Sequence, residues 1–372
     1  MKHLAPKRFR AFVCAAGACP DSCCRAGWEI VIDPDTCELY RTLCGPAAER
    51  VRAGIVYPGR GAQCAPADST TPDAEPLLRQ DGNRVCVLLD PDGLCHVQRH
   101  FGHEALCRVC REYPRFHREF GNLTEHGISL SCPTAFALAT GKAPELVEWE
   151  DDSPIVPNEL DAERYLLLRR GRELALRLLS DESRPLRDRV NLVLDLARRL
   201  QKAMCGSRQA GELALKRLAA PIGQKAALRP GRIRDEAREQ KQTLQRLARV
   251  FSTLEILSPD WKQALDAFTA RLDADGVPDS LYEPDQPEVY SRYLWYSLFK
   301  YWLDAADDGL ILPRVRRSAE MTLLGLAMDR TVPGARSWLQ RISREIEHCE
   351  ENLAALLQTP VIPEYAKDGP PA

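Results

Sequence analysis

The feature that most constrains this chain is the uneven distribution of its cysteines. Of the 14 cysteines in 372 residues, 12 lie between residues 14 and 132, and the other two are Cys205 and Cys349. Six of the seven histidines also precede residue 130. Thiolates and imidazoles bind zinc, thiolates hold iron–sulfur clusters, and ligation contributes folding free energy directly. The sequence therefore predicts a metal-binding N-terminal part, followed by a part of different chemistry.

The first residues bear on whether these cysteines bind metal or form disulfides. Basic residues precede a short apolar run from Ala11 to Ala18, which barely reaches the minimum of about 7 residues for a signal-peptide core. We therefore predict a cytoplasmic protein, with a lipoprotein signal as the alternative. In a reducing compartment, a dense set of cysteines more often binds metal or takes part in catalysis than forms disulfides.

The composition excludes several classes of protein. Apolar residues make up 44% of the chain and charged residues 28%, which is ordinary for a globular protein. No apolar stretch reaches the roughly 20 residues that a membrane-spanning helix needs. A net charge of −2 provides no global attraction to nucleic acid. We therefore expect neither a membrane nor a nucleic acid as partner.

After about residue 155 the pattern becomes helical. Apolar residues recur at the spacing of amphipathic helices, and prolines and glycines mark helix ends. The predicted helices are 159–179, 187–204, 236–257, 259–272, 287–306, 313–328 and 335–357. The predicted fold class is α+β. It comprises a small, irregular, Cys-rich metal-binding domain at 1–145, a mostly α-helical bundle domain at 155–358, and a loose tail at 359–372.

In the N-terminal part, short apolar runs alternate with turn residues. A strand is predicted at 28–32, followed by a helix at 34–43 that Asp33 caps. Further predictions are strands at 86–89, 94–97 and 127–132, a turn at 90–93, a loop or hairpin insertion at 58–84, a helix at 133–140 and a linker at 149–157. The basic run from Arg108 to Arg118 is interpreted as a solvated helix face.

The clustered cysteines fall into two groups. The first reads Cys14-x4-Cys19-x3-Cys23-Cys24, and the second comprises Cys86, Cys95, Cys107, Cys110 and Cys132. Four thiolates per site are usual for zinc and for iron–sulfur clusters. Neighbouring side chains in extended backbone point to opposite sides, so Cys23 and Cys24 serve two sites or one of them has another role.

The remaining thiols and the histidines are weaker candidates. His96, His100 and His103 lie among the second-group cysteines and leave a mixed Cys/His zinc site open. The other cysteines are interpreted as buried or incidental thiols (Cys37, Cys44, Cys64) and as small core residues of helices (Cys205, Cys349).

Three segments resemble the flagellin lysine-N-methylase family of bacteria. They are CAAGACPDSCCRAGWEIVID at 14–33, CVLLDPDGLCHVQRHFGHEALCRVCREYPR at 86–115 and SLSCPTAFAL at 129–138. The resemblance implies an iron–sulfur cluster of the 4Fe-4S type, S-adenosylmethionine as methyl donor and flagellin lysines as substrate. Within the family pattern, it implies as metal ligands Cys14, Cys19, Cys23, Cys24, Cys86, Cys95, Cys110 and Cys132. Cys107 lies outside that pattern and is interpreted as a substitute or a spare.

The sequence leaves the mechanism open. It has neither a glycine-rich strand–loop–helix signature for a nucleoside cofactor nor a Cys-x3-Cys-x2-Cys triad of the kind that cleaves this cofactor to a radical. No catalytic or cofactor-binding residue is therefore assigned. Two alternative functions are a non-enzymatic zinc- or iron-stabilised binding module and a thiol redox protein that uses Cys107 and Cys110.

Overall fold

The computed structural model describes residues 1–57, 75–155, 160–205, 237–278, 281, 283–334 and 337–362. Within these ranges the chain combines small sheets with a larger number of helices, which confirms a mixed α and β fold. None of the helices in these ranges has the length and apolarity that crossing a membrane requires.

A four-stranded sheet organises the N-terminal part, with the strand order β4-β5-β1-β6. The strands are β1 Lys2–Pro6, β4 Arg115–Phe120, β5 Leu123–Ile128 and β6 Leu146–Glu150. Strand β1 runs parallel to β5, with Lys2 opposite Leu123, and antiparallel to β6, with Lys2 opposite Glu150. A separate two-stranded sheet pairs β2 Ile55–Val56 with β3 Leu77–Leu78. Distant parts of the chain thus meet around β1.

All four strands of the larger sheet differ from the sequence predictions, and β1 was not predicted at all. The basic run from Arg108 is helical only to Glu112, because Pro114 cannot continue a helix, and it becomes strand β4 from Arg115. Strand β5 begins at Leu123, before the predicted strand at 127–132. Strand β6 includes the start of the predicted linker at 149–157, since its backbone pairs with β1.

The other short strands predicted in the N-terminal part are reduced to single bridges. The segment 28–32 makes one bridge, from Val31 to Leu77, because its partner β3 is only two residues long. The predicted pair 86–89 and 94–97 makes one bridge, between Leu89 and Cys95, before a helix begins at His96. The predicted turn between them is present, since Asp90 N–H donates to Leu94 O at 2.9 Å.

The N-terminal helices are short. They are α1 Pro34–Thr42, α2 Pro46–Ala53, α3 His96–Phe101, α4 Arg108–Glu112 and α5 Pro133–Thr140. The predicted cap of α1 is confirmed, because the Asp33 carboxylate accepts the Thr36 N–H at 3.1 Å. The predicted helix at 133–140 is confirmed as α5.

The C-terminal part is helical, as predicted. Its described helices are α6 Ala162–Leu179, α7 Leu186–Met204, α8 Ala237–Ser252, α9 Pro259–Asp275, α10 Pro287–Tyr301, α11 Ala305–Asp308, α12 Ile311–Thr331, α13 Trp338–Ile346 and α14 Glu350–Gln358. The predicted helix at 335–357 is thus two helices. Between them Glu347 forms a buried ion pair with Lys300 of α10, at 2.6 Å, and Cys349 caps α14 by accepting the Asn352 N–H at 3.4 Å.

One apolar core joins the sheet to the helices. Leu4 of β1 and Leu123 of β5 are buried in the same cluster as Leu168 of α6. Next to it, Arg172 of α6 donates to Glu125 of β5 at 2.7 Å, and these side chains are 3% and 2% exposed. The sheet and the helices therefore pack together, and the domain boundary near residue 145 stays a prediction.

The packed chain continues into the predicted tail. Val361 and Ile362 are buried, and their N–H groups both donate to Glu320 of α12 at 2.7 Å. The start of the segment 359–372 is therefore anchored to α12, whereas residues 363–372 lie outside the described ranges, as does most of the predicted loop at 58–84.

Candidate metal centre

A cavity of about 390 Å³ lies in the N-terminal part, and thiols account for much of its lining. The lining includes seven of the eight cysteines predicted as ligands: Cys14, Cys19, Cys23, Cys24, Cys95, Cys110 and Cys132. The eighth, Cys86, is held beside them because its N–H donates to the Cys24 carbonyl at 2.9 Å. Folding thus gathers the predicted set in one place.

Turns shape the first thiol-bearing segment. Residues Ala16–Ala18 and Cys23–Arg25 form 3₁₀ turns, and Ser22 caps the second by accepting the Cys24 N–H at 3.3 Å. Gly17 lies against Gly93 of the turn at 90–93, where an added Cβ on Gly93 would meet the Gly17 carbonyl oxygen at 3.2 Å. Gly93 also has φ of +84°. A side chain there would be strained and would push the two thiol segments apart.

A C-terminal helix holds the same segment from the other side. The Arg344 guanidinium of α13 donates to Ser22 O at 2.8 Å and to Asp21 O at 3.2 Å. In return, Trp28 Nε1 donates to the Arg344 carbonyl at 3.1 Å. Because the Arg344 side chain is only 3% exposed, these contacts form a buried clamp between the two halves of the chain.

In the second group, three cysteines each precede a helix. Cys95, Cys107 and Cys132 are the N-cap residues of α3, α4 and α5. Burial raises the pKa of Cys95 and of Cys132, and the backbone N–H groups of the following turn oppose that rise in pKa. These N–H groups have no intrahelical acceptor, so each helix start places donors near a sulfur atom, although none of the three sulfur atoms caps its helix by a hydrogen bond.

The thiols differ in how readily they ionise. Burial raises the pKa of Cys86 to about 12. A side-chain hydrogen bond from Cys23 lowers the pKa of Cys24 to about 7, and the same bond raises the pKa of Cys23. The pair Cys107 and Cys110 behaves likewise, with the pKa lowered at Cys107 and raised at Cys110. Since metals bind thiolates, ligation here must release protons.

Cys107 belongs to the thiol group more closely than its sequence context indicated. It is 1% exposed and packs in the same apolar cluster as Cys86, Cys95 and Cys110. The signal that could have identified it was the Cys107-x2-Cys110 spacing itself. Its burial also limits contact with a redox partner, which argues against the thiol redox alternative.

The histidines do not join the thiols as a set. Among the described residues, His103 lines the cavity, whereas His96 and His100 do not. His96 and His100 lie near Asp90, with 4.4 Å between their ring centroids. The Asp90 carboxylate is already paired with Arg50 at 2.6 Å and with Arg99 at 2.9 Å. These charges neutralise Asp90, so the group is explained as an ion-pair network in which Asp90 is buried and the two arginines are partly exposed.

The other cysteines take varied positions. Cys37 is buried and Cys44 is exposed, consistent with incidental thiols, and Cys64 lies outside the described residues. Cys349 is buried as predicted. Cys205 was predicted as a core residue but is exposed, because it follows the last turn of α7.

The spacing of the thiols distinguishes between kinds of metal centre. A tetrahedral zinc ion with zinc–sulfur distances of about 2.3 Å holds its sulfur atoms about 3.8 Å apart. In the described part of the chain, the only three possible ligand atoms that all lie within 4.8 Å of one another belong to Asp90, His96 and His100. The thiols are therefore spread more widely than one zinc ion requires.

Polar residues that the sequence analysis did not single out lie beside the cavity. Tyr113 lines the cavity and hydrogen-bonds Ser131, which in turn contacts His348. Burial lowers the pKa of His348 to about 4. Burial opposes ionisation of Glu347, but the charge of Lys300 outweighs it and lowers the Glu347 pKa. The pair is therefore ionised, and His348 is neutral at pH 7.

Comparison with known proteins adds a relationship over part of the chain. Over 122 residues the chain is 31% identical to a Lysine-N-methylase of Salmonella choleraesuis (strain SC-B67) and 30% identical to a Lysine-N-methylase of Salmonella typhimurium. Each match covers 33% of this chain and 28% of the relative's length. The chain is also 30% identical over 122 residues to the flagellar biosynthetic protein FliU of Salmonella muenchen, covering 67% of that protein. No family model and no solved structure matches the chain.

Proposed function

The chain belongs to the flagellin lysine-N-methylase family, and from this premise we propose that it methylates lysine side chains of a protein. The observation that carries the proposal is the similarity to proteins named Lysine-N-methylase. The FliU relative, named for flagellar biosynthesis, supports flagellin as the substrate. We propose that the reaction takes place in the cytoplasm and that S-adenosylmethionine is the methyl donor, because its sulfonium carries an activated methyl group.

The proposal includes an iron–sulfur cluster of the 4Fe-4S type in the thiol-lined cavity. The donor set is rich in thiols, which such clusters use as ligands, and the wide thiol spacing favours a centre with several iron atoms over a single zinc ion. The ligands would come from the eight cysteines predicted from the resemblance, with Cys107 as a further candidate. When bound, the cluster would supply one-electron chemistry. Zinc is the alternative metal.

The cavity suits a lysine side chain as the methyl acceptor. Its volume of about 390 Å³ lies within the ~300–1,000 Å³ range of small-molecule sites, and the cluster and the lysine side chain would share it. A lysine on its four-carbon stem can enter while its parent protein stays outside. In the polar form of the reaction, the neutral amine forms a C–N bond to the methyl carbon, the C–S bond breaks, and one proton leaves the nitrogen. Loss of the ammonium proton must come first.

Coexpression with the host's flagellin tests the substrate. We expect flagellin lysines to gain about one methylene mass per methyl group by mass spectrometry. Flagellin from cells that hold Cys95→Ser should lack the addition, and flagellin from cells that hold Cys44→Ser should retain it, because Cys44 is exposed and does not line the cavity.

Metal analysis after anaerobic purification separates the enzyme from the binding-module alternative. A brown protein with iron and sulfide supports the cluster, whereas a colourless protein with stoichiometric zinc supports a non-enzymatic module. Unmodified flagellin beside intact, iron-loaded protein would contradict the flagellin proposal.

A further inference from the structure

A buried chain of polar groups runs from the helical part to the wall of the thiol-lined cavity. It starts at Lys300 of α10, whose ammonium lies 2.6 Å from Glu347 Oε2. Ser129 Oγ lies 2.9 Å from the same carboxylate oxygen and 2.9 Å from Ser131 Oγ. The side chains of these residues are almost fully removed from water, with Ser131 at 0% exposed and Ser129 at 4%.

The chain ends at two rings. Tyr113, which lines the cavity, has its hydroxyl 3.1 Å from Ser131 Oγ. His348 Nε2 lies 2.7 Å from the same oxygen, and its ring packs on Trp28 with 4.0 Å between ring centroids. Ser131 therefore has three polar neighbours, and a hydroxyl offers one hydrogen and two lone pairs.

The charge at one end sets the direction of the first hydrogen bonds. Glu347 is ionised beside Lys300, so its carboxylate can only accept. Ser129 must therefore donate its single hydroxyl hydrogen to Glu347. The 2.9 Å contact between Ser129 Oγ and Ser131 Oγ then has to use the hydrogen of Ser131. With that hydrogen committed, the two lone pairs of Ser131 remain for its other neighbours.

The same reasoning determines the orientation at the cavity. Ser131 has no hydrogen left, so His348 must donate from Nε2 and Tyr113 must donate from its hydroxyl. The Tyr113 oxygen keeps two lone pairs and no free hydrogen, which makes it an acceptor at the cavity wall. Asp21 also lines the cavity, and its carboxylate pairs with Arg344 at 3.4 Å and with Arg341 at 3.9 Å. The Tyr113 oxygen therefore suits a ligand that carries N–H donors.

We propose that Tyr113 binds the amine of the incoming lysine by accepting one of its N–H groups, with Ser131 and Ser129 as positioning residues. The assignment rests on the methylase proposal for its substrate class. Among the described residues, the Tyr113 hydroxyl has its hydrogen bond with Ser131, whereas Arg111 donates to Glu104 O at 3.1 Å and Arg115 donates to Phe12 O at 3.1 Å. The lone pairs of the Tyr113 oxygen therefore remain for N–H groups of a ligand.

Two small ligands test this assignment without any methyl transfer. n-Butylamine is the lysine side chain as a free molecule, with N–H donors at pH 7.5, whereas butyltrimethylammonium has the same charge and chain but no N–H. Their affinities for the full-length, metal-loaded protein would be measured by titration calorimetry. Tyr113→Phe should weaken n-butylamine binding about tenfold, the effect of losing a hydrogen bond to a charged group. Binding of butyltrimethylammonium should change less than about twofold.

A second variant tests the positioning role with Tyr113 intact. In Ser129→Ala, Ser131 no longer has to donate to residue 129, so Tyr113 can turn its hydrogen toward the cavity. The preference for n-butylamine over butyltrimethylammonium should therefore fall, while metal content and the far-ultraviolet circular dichroism stay unchanged.

Two outcomes would overturn the assignment. One is that the wild-type protein does not bind n-butylamine. The other is that Tyr113→Phe leaves the ratio of the two affinities unchanged, whether both affinities fall equally or neither falls. These measurements are independent of flagellin modification. If n-butylamine binding depends on Tyr113 but flagellin stays unmodified, only the substrate proposal is refuted. If flagellin is methylated but Tyr113→Phe does not change n-butylamine binding, only the amine site is refuted.

Discussion

Cys95, Cys107 and Cys132 each stand immediately before a helix, and this position places their sulfur atoms near polar groups of the backbone. The N–H groups of the following turn, for instance those of Thr134 and Ala135 at Cys132, oppose the rise in pKa that burial causes. The N-terminal turn of a helix has N–H groups without an intrahelical acceptor, so the same local geometry serves three thiols from separate segments.

Replacing a cavity thiol should remove metal and stability together. For Cys132→Ser we expect metal content to fall below about half of the wild-type value and the thermal midpoint to drop, because ligation contributes folding free energy. Metal per chain by elemental analysis and the unfolding temperature are the measurements. The exposed thiol of Cys205 provides the control, and equal metal loss in Cys205→Ser would show that the centre lies elsewhere.

Glu320 should make stability depend on pH. Burial raises its pKa from the ordinary value of 4.5 to about 7, so the folded state holds this proton more tightly than the unfolded state. The free energy of unfolding therefore falls as pH rises from about 4.5 to about 7, by up to about 3 kcal/mol, and then levels off.

Glu320→Gln should remove that fall, because the amide stays neutral and its oxygen can still accept the Val361 and Ile362 N–H groups. The measurement is urea unfolding from pH 4.5 to pH 8. Glu150→Gln is the control, since the Glu150 side chain is 72% exposed. If the free energies of unfolding of Glu320→Gln and wild type differ by the same amount at every pH, the argument is contradicted.

At the scale of elements, helix α13 is a structural part of the thiol site although it lies more than 300 residues from the first thiol segment in the chain. Its Arg344 holds the carbonyls of Asp21 and Ser22, and its backbone accepts from Trp28. The break after α13 also directs Glu347 and His348 toward Ser129 and Ser131. The C-terminal end of α13 therefore positions both the first thiol segment and the serines next to Tyr113.

Arg344→Lys should loosen the first thiol segment. A lysine keeps the charge but lacks the planar fork that reaches two carbonyl groups at once. We expect lower metal content and a broadened metal spectrum, with the helical content unchanged. The matched control is Arg41→Lys, because the Arg41 side chain is 55% exposed. Full metal content in Arg344→Lys would show that the clamp is dispensable.

For the whole molecule, the contact between sheet and helices is both apolar and ionic. Leu4 and Leu123 share the core of the helices, and Arg172 pairs with Glu125 beside them. A buried ion pair costs desolvation of both charges, and removing one partner leaves the other charge uncompensated.

Glu125→Leu should therefore lower the free energy of unfolding by about 3–5 kcal/mol. The double variant with Arg172→Met should recover much of that loss, because no buried charge remains. Urea unfolding of both variants and of wild type forms the comparison. A double variant less stable than Glu125→Leu would show that the pair contributes more attraction than its desolvation costs.

Local patterns determined much of this protein. The cap at Asp33, helix α5 and most C-terminal helices follow from signals within a few residues, since helices satisfy their hydrogen bonds locally. The resemblance of three segments to a known family nominated eight cysteines as one set. Those predictions rest on chemistry that each segment carries by itself.

Only the tertiary structure decided the rest. Strands β1, β4 and β6 escaped prediction because their partners are distant, as when Lys2 faces both Leu123 and Glu150. The sequence did not indicate that the helix predicted at 335–357 is interrupted near Glu347, because the apolar pattern continues through this position. The interruption coincides with the buried ion pair between Glu347 and Lys300. Tyr113 gains its role as an acceptor only because folding connects it to that carboxylate through two serines. Hydrogen-bond direction depends on which groups meet, and no local pattern contains that information.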